Sequence, residues 1–170
     1  EQHIPALPEN ILPELPKAAR MSNASDWYRD AAFYHIYPLG FCGENRYNDF
    51  TSQPSGKIRK IIPYVRHIKN LGATAVYFGP FFESTRHGYD TADYYHVDPH
   101  LSDPKDPDGY FASFVEKLHE NGIRLILDGV FNHCSIDNAW TKDPAKAGYF
   151  VYDEKGGFQT WWGIPTLPKL

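Results

Sequence analysis

Two kinds of apolar pattern alternate through the middle of the chain. Short runs of apolar, aromatic and β-branched residues occupy positions 33–37, 74–78 and 123–128, and each is followed by proline or glycine. Runs of this length predict strands. Between them, apolar positions recur at helical spacing over 58–71 and 111–118, which predicts two amphipathic helices.

The order of these elements predicts a parallel sheet. Strand, helix, strand, helix, strand implies right-handed units with helices covering the sheet, and the second strand is apolar enough to be buried on both faces. This pattern leaves open a doubly wound sheet or part of a barrel. A dinucleotide-binding sheet would carry GxGxxG after its first strand, and residues 38–43 lack it. The long loops follow strand ends, as in barrel enzymes.

Proline and glycine predict where the elements begin and end. Pro38 and Gly40 predict a turn after the first strand, and Gly72 is a candidate C-cap of the first helix. Pro63 lies inside that helical pattern, where it either kinks the helix or marks its first turn. A long polar loop is expected over 81–108.

Composition excludes several classes of protein. With 11 Phe, 12 Tyr and 4 Trp among 170 residues, the chain is not of the disordered class. Its net charge of -4, with acids and bases interspersed, argues against nucleic acid as a partner. No run of about 18 apolar residues occurs, so no membrane span is expected.

The first 25 residues are expected to differ from the rest. They contain Pro5, Pro8, Pro13 and Pro16, a spacing that breaks helices, and we interpret 1–25 as a linker or N-terminal strap. The first residue is Glu rather than Met, which suggests a processed or cut N-terminus. The cellular compartment stays open.

Cys42 and Cys134 are expected to be free, packed thiols. Two cysteines without CxxC spacing suggest neither a disulfide scaffold nor a zinc site. They follow the first and third strands, and a strand between them would hold their Cα atoms beyond the roughly 7 Å that a disulfide allows.

Polar side chains follow the third strand directly. The segment Asp128–His133 ends a buried strand in an acid, an amide and an imidazole. The amide oxygen of Asn132 suits a hard cation or a sugar hydroxyl, and His133 can donate to a hydroxyl. The alternative is that these residues only cap and turn the strand end.

A second candidate segment is His87–Tyr95, in the loop after the second strand. It places Tyr89 beside Asp90. A pyranose ring stacks its apolar C–H face on an aromatic ring, while its hydroxyls bond a carboxylate. The alternative is a tyrosine-rich loop that only covers the end of the sheet.

Together these motifs resemble the alpha-amylase family of glycoside hydrolases. DGVFNH at 128–133 is similar to the family's first signature region, HGYDTADYY with HVDP at 87–99 to its loop after strand two, and FYHIYPLGF at 33–41 to its first strand. The closing segment 163–170 is similar to a further signature, and its Pro-Lys-Leu form resembles the neopullulanase and cyclomaltodextrinase branch. The resemblance covers Trp27 to Leu170.

The resemblance implies an α/β fold, the N-terminal portion of a (β/α)8 TIM barrel. Residues 26–133 would supply the first three strands of the catalytic barrel. Residues 134–170 would begin the insert domain after strand three.

The resemblance also implies roles for individual residues. Tyr89 would stack under the sugar at the cleavage subsite, and Asp90 would bond its hydroxyls or pair with a later arginine. His133 would bond a sugar hydroxyl more strongly as the ring flattens toward an oxocarbenium ion. Asp128 would orient its neighbours. Asn132 would be a calcium ligand, although its partner ligands are not recognisable in the sequence.

The activity implied is retaining hydrolysis of alpha-glucosidic bonds in starch, maltooligosaccharides or cyclodextrins, with transglycosylation in some members. The family's nucleophile and acid/base follow strands four and five, and they are expected beyond residue 170. The alternative is an inactive amylase-like module that binds carbohydrate or serves as a scaffold. Bond specificity and oligomeric state do not follow from the sequence.

Overall fold

The computed structural model describes residues 26–45, 47–103 and 105–170, without the side chains of residues 107 and 108. The linker predicted over 1–25 lies outside the described residues. Within them, a small parallel sheet carries helices on one face, and a largely irregular segment follows the third strand.

All three predicted strands are present, each slightly shorter than the apolar run that predicted it. They are β1 (Phe33–Ile36), β2 (Ala75–Phe78) and β3 (Arg124–Leu127). The strands are parallel in the order β1-β2-β3, with His35 opposite Tyr77 in the register. The parallel arrangement expected from the alternating pattern is therefore confirmed.

The stretch after β1 corrects the sequence prediction. Instead of a simple turn, it forms a five-residue helix, α1 (Pro38–Cys42). Proline fits the first helical position because its missing N–H needs no partner there. Gly43 then ends the helix in the left-handed conformation, with φ of 65°. Leu39 and Cys42 are buried beneath this turn, so packing stabilises it.

The two predicted amphipathic helices are also present, as α2 (Ile61–Asn70) and α3 (Pro107–Glu120). Pro63 lies in the first turn of α2, where backbone N–H groups have no partner within the helix. Of the two interpretations of Pro63, a kink within the helix or a position in its first turn, the second is confirmed. Gly72 follows α2 with φ of 79°, as expected of a helix end.

The hydrophobic core lies between the sheet and these two helices. Alternate residues of a strand point to opposite faces, so one face of the sheet meets the apolar stripes of α2 and α3. The buried residues of this layer include Ile36, Val76, Phe78, Ile61, Val65, Ile68, Phe114 and Leu118. As predicted, β2 is buried almost throughout.

The opposite face of the sheet is different. His35 and Tyr77 stand side by side on it, with ring centroids 5.1 Å apart, and His35 is exposed. The expectation that helices cover the sheet therefore holds for one face among the residues described. Along the same residues, no helix is both long and apolar enough to cross a membrane.

The segment after β3 is mostly irregular and is tied to the end of that strand by its own backbone. The Cys134 N–H donates to the Pro168 carbonyl at 3.1 Å, and the Leu170 N–H donates to the Asn132 carbonyl at 3.1 Å. Short 3₁₀ helices, such as Trp161–Gly163, connect the bends. These bonds hold the end of the described chain against the residues that follow β3.

Both cysteines are free and buried, as predicted. Burial raises the pKa of each thiol, Cys42 and Cys134, to about 12. A raised pKa lowers the thiolate fraction, to about 10⁻⁴ at pH 8 against roughly a quarter for an ordinary cysteine. We therefore expect alkylation of both residues by iodoacetamide to be at least about 1,000-fold slower in the folded full-length protein than in urea, measured on labelled peptides by mass spectrometry. Rapid labelling without urea would contradict this.

Candidate functional site

The candidate residues lie where the strands end. The loops after β2 and β3 meet at the carboxyl edge of the sheet, because parallel strands bring their ends to the same side. The structure brings Tyr89, Asp128 and His133 together at this edge. Asp90 follows Tyr89 along the chain, but its carboxylate has different neighbours.

Asp128 lies beside two tyrosines. A hydrogen bond from the Tyr77 hydroxyl to the Asp128 carboxylate, with some burial, raises the pKa of Tyr77 to about 12. Burial and then the Asp128 charge raise the pKa of Tyr89, whose hydroxyl also bonds that carboxylate. The Asp128 carboxylate thus favours the neutral form of both phenols.

His133 contacts the protein through both ring nitrogens. Its Nε2 lies 3.0 Å from the Tyr89 carbonyl, which only accepts, so Nε2 carries the hydrogen. Nδ1 then accepts from the Asn132 amide at 3.1 Å. Donation to a sugar hydroxyl requires Nε2–H to be shared with the Tyr89 carbonyl or released from it. The imidazole also stacks on Trp161, with centroids 4.9 Å apart.

Tyr89 has the exposure that a stacking residue needs. Its side chain is 40% exposed, while its backbone N–H donates to His87 Nδ1 at 3.3 Å. The two rings also lie near each other, with centroids 6.0 Å apart. The loop thus holds the tyrosine in place and leaves part of its ring open to a ligand.

Asp90 points into its own loop. It is 3% exposed, and its carboxylate accepts from the Arg86 N–H at 3.1 Å and lies 3.9 Å from His87 Nδ1. Burial raises the pKa of Asp90, against the opposing effects of His87 and that backbone N–H. In this conformation the carboxylate stabilises the loop around Tyr89. Contact with a sugar hydroxyl stays a prediction.

Asn132 is the residue that the sequence resemblance predicts as a calcium ligand. This residue is exposed, and its amide nitrogen donates to His133. Across the ranges that the structure describes, no group of three or more His, Cys, Asp or Glu side chains is placed to hold a metal ion. Since calcium needs six to eight oxygen ligands, Asn132 alone does not satisfy it. Calcium binding there stays a prediction.

The sequence interpretation missed two contacts of this site. Tyr77 sits within β2, where its bond to Asp128 depends on strand register, and Trp161 lies far from His133 along the chain. The double tryptophan before Gly163 was a visible signal for the second contact. For Tyr77, the only signal in the sequence was its position near the end of a predicted strand.

A cavity of about 570 Å³ lies beside the Tyr89 loop. The Tyr37 hydroxyl donates to the His87 carbonyl at 2.8 Å, which joins the β1 end to this loop at the cavity wall. The other lining residues are Leu39, Gly40, Glu44, Asn45, Tyr47 and Arg86. The lining therefore comes from the loops after β1 and β2.

Comparison with known proteins decides the family. The profile of the family described as alpha amylase, catalytic domain, matches residues 35–162, well over half of the chain. The chain belongs to the alpha-amylase family. The resemblance drawn from its motifs is thereby confirmed.

Alpha-amylase relatives also identify the branch. The chain is 34% identical over 164 residues to a cyclomaltodextrinase of Thermoanaerobacter pseudethanolicus, a match that covers 86% of this chain and 27% of the relative. An intracellular maltogenic amylase of Bacillus subtilis is 28% identical over 162 residues, which cover 85% of this chain and 26% of that protein. These similarities support the neopullulanase/cyclomaltodextrinase-like branch.

Solved structures of the alpha-amylase family agree. A cyclic alpha-maltosyl-(1→6)-maltose hydrolase of Arthrobacter globiformis, in complex with that cyclic sugar, superposes with a TM-score of 0.68 and 28% identity, and the match covers 85% of this chain and 38% of that one. The chain spans about a quarter of the length of the curated relatives named above. Its three parallel strands therefore correspond to a part of the family's catalytic domain.

Proposed function

We propose that this chain is the N-terminal part of the catalytic barrel of a retaining glycoside hydrolase that acts on alpha-glucans, maltooligosaccharides or cyclodextrins. The observation that carries the proposal is the convergence of Tyr89, Asp128 and His133 at the carboxyl edge of a parallel sheet in an alpha-amylase family chain. Barrel enzymes place their active sites at this edge.

The sheet supports a (β/α)8 barrel. Its helices pack on one face, and His35 and Tyr77 stand on the opposite face, as residues that line a barrel interior do. Residues 26–133 would contribute three of the eight strands, and residues 134–170 would begin the insert after the third. Further strands would pair with β1 and β3, which are the edges of the described sheet.

In this function the exposed Tyr89 ring stacks on the apolar face of a glucosyl unit. Asp128 interacts with the tyrosine hydroxyl, and His133, whose Nε2–H donates to the Tyr89 carbonyl, shares that hydrogen with a ring hydroxyl of the sugar. A hydrogen bond that strengthens as the sugar ring flattens toward the transition state lowers the barrier to bond cleavage. These contacts bind and orient the substrate.

The carboxyl groups that break the bond are expected elsewhere in the protein. A retaining glycosidase needs a nucleophile and an acid/base about 5 Å apart. The Asp128 carboxylate faces the hydroxyls of Tyr77 and Tyr89, and Asp90 is buried in its loop, so neither is suited to attack a sugar. Under the proposal both groups follow later strands of the barrel.

The test is an assay of the full-length protein on maltohexaose, β-cyclodextrin and pullulan. We expect hydrolysis of at least one substrate, with the α-anomer formed first by proton NMR, because a retaining mechanism keeps the configuration. Binding of maltohexaose without turnover would favour the inactive carbohydrate-binding module. If the protein neither binds nor hydrolyses any of the three substrates, the proposal is rejected.

A further inference from the structure

The Tyr89 loop, residues 81–98, has its two ends joined to each other where it leaves β2. The Asp98 N–H donates to the Phe81 carbonyl at 2.8 Å. Antiparallel bridges follow along the loop in the direction of Tyr89. The position of the tyrosine therefore depends on how this end of the loop is held closed.

A buried pair of side chains lies at the closed end. The Asp98 carboxylate accepts from the His100 backbone N–H at 2.9 Å and lies 2.9 Å from the His100 Nδ1. An ionised carboxylate only accepts, so Nδ1 carries the hydrogen of the second bond. Asp98 is 2% exposed, and the His100 side chain is 13% exposed. Further strands of a barrel would cover this pair more, not less.

Two further acids face His100 from different loops. Glu44 follows α1, Glu83 lies in the loop after β2, and the charges of both act on the His100 imidazole. The Asn48 amide, from the loop after β1, donates to the Glu83 carboxylate at 3.3 Å. With Asp98, three carboxylates thus lie around one imidazole. A protonated His100 offsets part of their mutual repulsion.

The remaining titratable or charged groups around these acids come from α1, the segment before α2, α3 and the loop itself. They are Cys42, Lys57, Tyr110, Asp93 and His96. The pKa of Cys42 is about 12 and burial raises the pKa of Tyr110, so both stay neutral near pH 7. Burial raises the pKa of Asp93, but the bond to His96 outweighs it and the pKa is lowered. That carboxylate therefore stays charged.

The proton on His100 is linked to the folded arrangement. The bond to Asp98 raises the pKa of His100, burial opposes this, and the charges of Asp98, Glu44 and Glu83 raise it further, with a net increase. The folded protein therefore binds this proton more tightly than the unfolded chain, where the pKa is about 6.5. Its stabilising effect is complete below about pH 6.5 and is lost as the pH rises through the raised value.

We propose that the buried pair of Asp98 and His100 positions the loop that carries Tyr89, and that it does so most strongly when His100 is protonated. The inference goes beyond the proposed function, on which only its effect on kinetics rests. The Tyr89 carbonyl accepts from His133 Nε2 at 3.0 Å, so opening the end of the loop displaces both residues. His100 acts through the loop and is a positioning residue.

Hydrogen exchange of the full-length protein without any sugar is the first test. His100→Ala removes a donor to Asp98, and we expect amides of residues 81–98 to lose about 10-fold in protection at pH 6, the scale of one hydrogen bond to a charged group. Peptides from α2 should change less than about twofold. Exchange is followed by mass spectrometry. Equal loop protection in both proteins overturns the proposal, and so does an equal loss in the loop and in α2.

A second variant, His100→Asn, separates the proton from the hydrogen bond. The asparagine amide can donate to Asp98 but carries no charge. We expect loop protection in wild type to exceed that in His100→Asn about 3- to 10-fold at pH 6 and less than about twofold at pH 9. Comparison at each pH cancels the effects of His87 and His96, which both proteins contain. A ratio that does not change with pH overturns the proposal.

His119→Ala is the matched control. It removes a histidine from the last turn of α3, outside the group of acids described above. We expect its loop protection to equal that of wild type at pH 6 and at pH 9. A loss as large as that of His100→Ala would show a general effect of losing a histidine and would overturn the proposal.

Kinetics on maltohexaose test the link to the site. His100→Ala should raise KM about 3- to 10-fold at pH 6 with a smaller change in kcat, because a misplaced Tyr89 weakens binding, whereas a smaller folded fraction lowers kcat alone. An unchanged KM overturns the link. If wild type hydrolyses no alpha-glucan, the proposed function fails, and hydrogen exchange still decides whether the pair positions the loop.

Discussion

Replacing Tyr89 or His133 with alanine in the full-length protein is expected to lower kcat/KM for maltooligosaccharides by about one to three orders of magnitude. Tyr89 offers a partly exposed ring beside the Asp128 carboxylate, so its replacement by alanine removes a stacking surface for the sugar. His133 donates Nε2–H to the Tyr89 carbonyl at the same place, where a sugar hydroxyl can share it. Initial rates measured over a range of substrate concentrations separate kcat from KM.

Two control variants sharpen this experiment. Tyr95→Ala removes an exposed tyrosine from the same loop, whose ring contacts Trp140 edge-on rather than any residue of the site, and it should retain wild-type rates. His133→Phe keeps an aromatic ring against Trp161 but has no Nε2–H. We expect this variant to be folded and as impaired as His133→Ala. Wild-type kinetics for both alanine variants would refute the site assignment.

The 170-residue chain alone is expected to show no sharp cooperative melting transition as a monomer. One face of its sheet has no helical cover among the described residues, and both β1 and β3 have unpaired edges there. Phe33 on β1 is 47% exposed, and Leu127 on β3 is 39% exposed. Apolar surface of this kind contributes to stability only when it is buried, and a barrel buries it when all strands are present.

Circular dichroism and differential scanning calorimetry of the purified segment provide the measurement. The expected result is a broad thermal transition with weak near-ultraviolet signal and binding of the dye ANS, as for a loosely packed state. The full-length protein should melt sharply under the same conditions. A sharp calorimetric peak from the monomeric segment would contradict the prediction.

The elements that formed as predicted are those with strong local signals. β2 is apolar throughout, and α2 and α3 repeat apolar residues at helical spacing, so burial requires these conformations whatever the wider fold. The short α1 was missed because its pattern is that of a turn. Its helical turn depends on the burial of Leu39 and Cys42, which involves residues distant in sequence.

The site residues were found because their side-chain types are unusual directly after a buried strand. The sequence indicated that Tyr89, Asp90 and His133 would contact one sugar ring, and the structure brings Tyr89 and His133 into contact. The sequence did not indicate that both nitrogens of His133 have protein partners, or that the Asp90 carboxylate points into its loop. Those directions depend on loop conformation.

Local sequence patterns are thus sufficient to predict the strands and helices of this chain, the parallel order of the strands and the residues that follow each strand. These features arise from apolar periodicity and from residue types at element ends, which act over a few neighbouring positions. The interaction of Tyr77 with Asp128 depends on strand register, and the stacking of His133 on Trp161 joins the end of β3 to a segment far along the chain. Such contacts join distant residues through packing, and no local pattern encodes them.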